Sequence, residues 1–358
     1  MEIGITGLSG AGKSTVFNAL ARARAQVGAF TAAQSEPNRA VVKVPDTRVD
    51  VLAELFKPKS VKPAEVQFVD VAGLAQGAGL ESAAAILGHL RTVDALLVVV
   101  AAFQDGGVES ALADLAALET DFILSDLEIV DKRLERLERE VRMARGDDAE
   151  RQAKAREVEV LARLKAALDA EQPIRTLHLS SEEEKLLRGY ALLTAKPALG
   201  VLNTGDEGAA GGVLEKLAVG TTSRGVEWIA IAGRLEMELA ELDPSEAGEF
   251  MEAMGVQELA AGRVIQASYR LVDLLSFLTA GADEVRAWTI RRGSTAVDAA
   301  AAIHTDLARG FIRAEVVTYE DLVAAGGFAE ARKRGKLRSE GKTYVVRDGD
   351  VINVLFNV

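Results

Sequence analysis

Apolar positions in the first 118 residues fall into short runs separated by segments of helical spacing. "EIGIT" (2–6), "EVQFVDVAG" (65–73) and "DALLVVVAAF" (94–103) read as strands, and "STVFNALARA" (14–23) reads as a helix. Apolar strands alternating with helices predict βα crossovers and a largely parallel sheet with helices on its faces.

Downstream, Leu127, Val130, Leu134, Leu137 and Val141 follow 3,4,3,4 spacing among alternating Arg and Glu. That is a heptad seam. "GDD" at 146–148 interrupts it, and Val158, Leu161, Leu164 and Leu168 resume an apolar stripe that ends before Pro173. An antiparallel coiled-coil hairpin is expected over 119–172. Beyond it, "KPALGVLNTGDEG" and "GVEWIAIAGRLEMELAEL" read as two further strand-to-loop units, which makes the hairpin an insertion. The discontinuous α/β unit then covers 1–118 and 173–278, and a small β-rich domain covers 279–358.

A length of 358 residues predicts more than one compact unit. With no Cys, the chain has no disulfide framework, thiolate metal site or Cys nucleophile, and three His (His89, His178, His304) argue against a multi-His metal site. No apolar run approaches 18 residues and no basic leader precedes the first strand, so a cytoplasmic protein without membrane contact is expected. The net charge of −12 argues against a protein that simply coats DNA.

The chemistry is concentrated after the first strand. Gly7 to Ser14, "GLSGAGKS", fits G-x-x-x-x-G-K-[ST] between a strand and a helix. Glycines in such a loop let backbone N–H groups of Ser9, Gly10, Ala11, Gly12, Lys13, Ser14 and Thr15 face phosphate oxygens at a helix N-terminus. Lys13 is placed to stabilise charge on the β/γ-phosphates and Ser14 to offer its hydroxyl to Mg²⁺. "VDVAG" then supplies D-x-x-G, with Asp70 reaching Mg²⁺ through water and the Gly73 N–H meeting a γ-phosphate. Leu74, the next residue, has no group to orient water. "NTGD" supplies Asn203 and Asp206, a spacing in which the carboxylate accepts two hydrogen bonds from guanine N1 and N2; a polar turn closing a strand accounts for the same residues. His89, on an expected helix, reads as structural.

Taken together these residues resemble the YchF family, also called Obg-like ATPases, within the translation-factor-like GTPases. The resemblance is densest in "FLTAGADEVRAWTIRRGSTAVDAAAAIHTDLARGFIRAEVVTYEDL" and "GKLRSEGKTYVVRDGDVINVLFNV", which are similar to the family's TGS-type, ubiquitin-like domain. "SEPNRAVVKVPDTRVDVL" resembles the stretch after its switch I, and "SDLEIVDKRLERLE" the start of its coiled-coil insertion. The resemblance implies a P-loop NTPase fold, Mg²⁺-dependent hydrolysis of ATP or GTP, and association with ribosomes. Gly10 and Ala11 stand where the family usually has Asn-Val. Gln34 stands near its switch I Thr, with Thr31 and Ser35 close by. Ala232, Gly233 and Arg234 align with a base-closing S-A-K loop, and Asp206 replaces a Glu, which pushes specificity toward guanine. A family loop with a His proposed to assist catalysis is shortened here around "FQDGGVES", without a His, so no general base is named.

"RKRGKLRSEGKTYVVR" (332–347) carries seven Lys or Arg against one Glu, which suits salt-sensitive contact with RNA, or alternatively a solvated surface. The expected function is a slow purine-nucleotide hydrolase serving as a ribosome-associated switch. The alternative is a ribosome- or RNA-binding scaffold with a degenerate nucleotide site.

Overall fold

Strand β1 (Glu2–Thr6) is buried from Ile3 onward, and α1 (Lys13–Arg24) follows it across the glycine-rich loop. The chain continues through β2 (Asn38–Lys43), α2 (Thr47–Phe56), β3 (Ser60–Lys62), β4 (Glu65–Asp70), α3 (Leu80–Thr92) and β5 (Ala95–Ala101). Next come α4 (Gly107–Met143), α5 (Asp148–Asp169), α6 (Ser181–Leu187), β6 (Ala198–Asn203), α7 (Val213–Thr221), β7 (Val226–Ile231), α8 (Gly233–Leu239), α9 (Pro244–Ala253) and α10 (Ala260–Leu271). The remainder is β8 (Leu274–Ala280), β9 (Glu284–Arg291), α11 (Ala296–Ile303), α12 (Thr305–Arg309), β10 (Phe311–Thr318), α13 (Tyr319–Ala325), α14 (Phe328–Lys333), β11 (Arg338–Glu340) and β12 (Asp350–Phe356). This computed structural model describes residues 1–24, 37–71, 73, 80–103, 107–143, 148–205, 212–221, 224–254, 256 and 258–357.

The first sheet has the order β2-β4-β1-β5-β6-β7. Its pairs β1–β4, β1–β5, β5–β6 and β6–β7 are parallel. All seven residues of β5 are buried, as a strand between two parallel neighbours with both faces covered must be. Register pairs Ile5 with Asp70 and Ala101 with Asn203, which gathers the carboxyl ends of four strands at one edge. In open α/β sheets that edge is where ligands bind.

Helices α4 and α5 carry the anticipated seam: Val130, Leu137, Val160, Leu161, Leu164 and Leu168 form one buried cluster. Ion pairs Asp131–Lys165, Arg133–Glu157 and Glu140–Lys154 join residues whose numbers rise on one helix as they fall on the other, so the helices are antiparallel. The expected boundary at 119 falls inside α4. With no Pro after Gly107 and no Gly until Gly146, nothing breaks the helix, and Ala111, Leu115, Leu118 and Phe122 pack into the core beneath the first sheet.

Asp126, fully buried on α4, accepts hydrogen bonds from Leu193 N (3.0 Å), Thr194 N (2.8 Å), Thr194 Oγ1 (2.8 Å) and Arg91 Nη1 (3.0 Å). Arg91, from the last turn of α3, also reaches Ala191 O and Ser125 Oγ. A buried charge so completely paired is tolerated, and removing one partner is costly.

The chain divides into two units, 1–40 with 67–264, and 41–66 with 265–358. This differs from the expected boundaries, because 41–66 joins the C-terminal unit and so does 265–278. The physical reason is a pairing remote in sequence. Strand β3 runs parallel to β9, with Ser60 opposite Glu284 and Lys62 opposite Arg286. The resulting second sheet has the order β11-β10-β12-β8-β9-β3. Leu275, Phe277, Ile290, Phe311, Ala314 and Val316 face α11, whose N-terminus is closed by a reciprocal Thr295–Asp298 capping box. In the same unit Arg48 bridges Asp46 and Asp348, and Gln266 Nε2 donates to Pro45 O at 2.9 Å.

Candidate functional site

The loop after β1 is shaped by three positive-φ glycines, Gly7 (153°), Gly10 (86°) and Gly12 (82°). At Gly7 a side chain would overlap the Val99 carbonyl, so β1 can leave the sheet there only as glycine. Ala11 N donates to Leu8 O, and Val16 N donates to Gly12 O as the first turn of α1. Ser9 and Gly10 are exposed, Gly12 and Thr15 half-buried, and Ala11 buried.

Lys13, 7 % exposed, donates from Nζ to Leu8 O at 2.9 Å, which folds its ammonium back over the loop. Burial pushes the Lys13 ammonium below its usual range, with the nearby Asp70 charge opposing the shift. Ser14 Oγ donates to Asp70 Oδ2 at 2.9 Å. Burial pushes the Asp70 carboxyl up, opposed by the Ser14 hydrogen bond, the Lys13 charge and a bond from Asn38. A hydroxyl and a carboxylate oxygen at that separation are the hard donors Mg²⁺ takes while keeping several waters, so the pair fits that ion. No other candidate arises from clusters of three His, Asp or Glu among the described residues.

Gly73 lies against Lys13 and Ser9. A Cβ there would overlap Lys13 Nζ and approach Ser9 Cα to 3.1 Å, so the D-x-x-G glycine is stacked on the loop. Asp70 and Gly73 are thus brought to Ser9, Lys13 and Ser14.

Asn203, at the end of β6, donates from Nδ2 to Ala11 O (3.1 Å) and accepts at Oδ1 from Gly233 N (3.2 Å). Side chains at Gly12 or Gly233 would collide with it. Asn203 therefore ties the phosphate loop to the start of α8, where Ala232 is the N-cap residue. Thr204 turns inward instead of over the loop: its N and Oγ1 both donate to Ile231 O, at 2.8 and 3.3 Å. Asp206, Thr31, Gln34, Ser35 and Leu74 lie outside the described residues. His89 is on the exposed side of α3.

Phe103 was not singled out from the sequence. It is 45 % exposed, yet its ring edge lies 3.6 Å from where a Gly12 side chain would begin, and its Cβ lies 4.0 Å from the same point on Gly205. An aromatic residue just past the carboxyl end of an all-apolar parallel strand was the available signal. Glu236 on α8 was also passed over. It is buried and accepts from Ala260 N and Ala261 N, both at 2.8 Å, so that its carboxylate caps α10.

Comparison with known proteins gives the family of the chain. A family model described as 50S ribosome-binding GTPase matches residues 2–139, and the model of the YchF-GTPase C-terminal region, described as a protein of unknown function, matches 274–357. The chain is 40% identical to the ribosome-binding ATPase YchF of Bacillus subtilis, over all of both chains. It is 38% identical to that of Haemophilus influenzae, over 100% of this chain and 99% of the relative. The solved structure of the Schizosaccharomyces pombe YchF GTPase superposes with a TM-score of 0.85 at 31% identity, covering 99% of this chain and 97% of that one. With full-length relatives above 30% identity and the phosphate-loop geometry in place, the chain belongs to the YchF family.

Proposed function

We propose that this chain hydrolyses a purine nucleoside triphosphate slowly and uses the nucleotide state to govern binding to the ribosome. The convergence of Lys13, Ser14, Asp70 and Gly73 carries the reading. Curated relatives bear the name ribosome-binding ATPase, which supports both halves of it.

In this reading the triphosphate displaces Leu8 O as the partner of Lys13, whose ammonium then neutralises charge developing on the β/γ oxygens. When bound, Mg²⁺ acts as a Lewis acid on the same oxygens. Ser14 and Asp70 hold its site, Asp70 through water. The backbone N–H groups of the loop 9–15 and of Gly73 orient the phosphates. Phe103 covers the base in place of the Lys stem that Thr204 does not provide, and Asn203 holds the loop and the Ala232–Gly233 turn at fixed separation. Asp206 reads the base. No side chain is assigned as general base, so the rate rests on positioning and electrostatics, consistent with slow turnover.

The 332–347 segment is proposed to contribute to ribosomal RNA contact with much of its charge already engaged. Arg332 pairs with Glu315, Lys333 and Arg334 with Glu330, Lys336 with Asp321, and Arg338 with Glu340 and Asp350. Asp350 is buried, whereas the Lys and Arg partners are exposed, and the pairs outside Asp350 are weak enough to exchange for phosphate. The alternative of a degenerate scaffold is disfavoured by the intact arrangement around Lys13.

Calorimetric titration of nucleotide-free protein with ATP, ADP, GTP and GDP in Mg²⁺, repeated with Asp206→Asn, tests the reading. Binding of a purine nucleotide is expected, with GTP affinity falling in the variant. Failure of all four to bind would overturn it.

A further inference from the structure

Helix α8 is seven residues long, and a helix that short is not stable on its own in water. Its position must come from what its side chains hold. It packs on α1, with Gly233 so near Val16 that a Cβ there would come within 3.4 Å of Cγ2, and Leu239 is buried at its other end. Between them is Glu236, 6 % exposed, a buried carboxylate that the phosphate chemistry leaves unused.

Glu236 Oε1 accepts from Ala260 N and Oε2 from Ala261 N, both at 2.8 Å. These are the first two amides of α10, which have no acceptor within their own helix, and Leu259 before them has no side-chain oxygen to offer. Burial pushes the Glu236 carboxyl up, and the two amides and the Arg263 charge oppose the shift. Because the cap comes from α8 rather than from position 259, it pins one helix to the start of the other.

The pinned turn of α8 is the one that meets the phosphate loop. Glu236 N donates to Ala232 O at 2.9 Å, closing the first turn of the helix. Gly233 N donates to Asn203 Oδ1, and Asn203 Nδ2 donates onward to Ala11 O. Holding Glu236 therefore holds Ala232, Gly233 and the amide from which Asn203 accepts.

We propose that Glu236 is a positioning residue for nucleotide binding: anchored on α10, it keeps the Ala232–Gly233 turn, and through it Asn203, in place for the nucleoside. The inference rests on the reading of that turn as the base side of the site. Lys13, Ser14 and Asp70 are held by bonds of their own, so removal of Glu236 leaves the phosphate end in place. The loss falls on the nucleoside and not on the phosphates.

The test is calorimetric titration of the full chain with ADP, GDP and inorganic pyrophosphate, each with Mg²⁺, for the unaltered protein, Glu236→Ala and Glu236→Gln. The unaltered protein is expected to bind at least one of the nucleotides more tightly than pyrophosphate. In Glu236→Ala that nucleotide should bind about tenfold more weakly, with pyrophosphate affinity changed by less than about twofold. Glu236→Gln keeps one acceptor oxygen and should fall between, and it carries the test if urea denaturation finds the Ala variant unfolded. Thr295→Ala, which removes the cap of α11 in the C-terminal unit, should leave the ratio of nucleotide to pyrophosphate affinity unchanged. Equal weakening of nucleotide and pyrophosphate, undiminished nucleotide affinity in the Glu236 variants, or the same change of ratio in Thr295→Ala would overturn the proposal. Equal affinity of the unaltered protein for nucleotides and pyrophosphate would overturn the base-side reading on which it rests.

Discussion

Ser14 Oγ donates to Asp70 Oδ2 at 2.9 Å, so the two groups assigned to Mg²⁺ are latched to each other across 56 residues of chain. The latch holds the end of β4 against the first turn of α1. In the absence of metal, burial makes ionisation of Asp70 unfavourable and holds its carboxyl above the usual carboxylate range. The stability associated with protonated Asp70 is present below the unfolded pKa and is lost as pH rises through the higher folded one. Mg²⁺ needs the ionised carboxylate, so Mg²⁺-dependent nucleotide affinity should rise with pH through the same window. Calorimetry from pH 4 upward checks this, and Asp70→Asn should remove that pH dependence together with most of the Mg²⁺ requirement.

Gly73→Ala separates sensing of the terminal phosphate from folding. The added Cβ meets the far end of the long Lys13 side chain, which can swing aside at the cost of its bond to Leu8 O, and comes within 3.1 Å of Ser9 Cα, so the apo protein is expected to accommodate it with a small shift. Unfolding free energy should change by about 1 kcal/mol or less. Triphosphate affinity and turnover should fall by about tenfold or more, with diphosphate affinity little altered. Urea denaturation and parallel titrations with triphosphate and diphosphate measure the two effects.

Phe103→Ala should weaken both adenine and guanine nucleotides by about 1–3 kcal/mol, the range for base stacking on an aromatic side chain. Because every purine has a π-face, the ratio of ATP to GTP affinity should stay the same. An isolated loss for one base would assign Phe103 a different role.

Much of this architecture was legible because local signals agreed. The apolar runs of β1, β5 and β6, the glycines at 7, 10 and 12, and the 3,4 spacing from Leu127 to Leu137 each describe interactions between residues close in sequence. The placement of 41–66 was not legible, since β3 depends on β9 more than 220 residues away and "SVK" bears no mark of that partner. Likewise, the length of α4 was hidden by a change of environment along one unbroken helix, from the core beneath the first sheet at Leu118 to the hairpin seam at Val130. At the site, the motifs named Lys13, Ser14, Asp70 and Asn203, but not Phe103, whose role is expressed only through its approach to Gly12 and Gly205.

Asp126→Ala should be among the most damaging single changes, because it leaves Arg91 and the 193–194 amides without their buried acceptor. A loss of about 3–5 kcal/mol is expected. Leu124→Ala, two residues away on an exposed face of α4, should cost less than about 0.5 kcal/mol. Urea midpoints at constant m-value compare the two; similar losses would show that Asp126 is not the anchor between α4 and the 191–194 turn.

The most direct measurement of the central claim is steady-state phosphate release from ATP and GTP, in Mg²⁺, by the unaltered protein and by Lys13→Ala. Lys13 lies on the loop with its ammonium folded over it, and its removal should leave the fold intact. Turnover of at least one nucleotide by the unaltered protein, reduced about a hundredfold or more in the variant, is expected. Equal release by the two proteins would contradict catalysis at this loop.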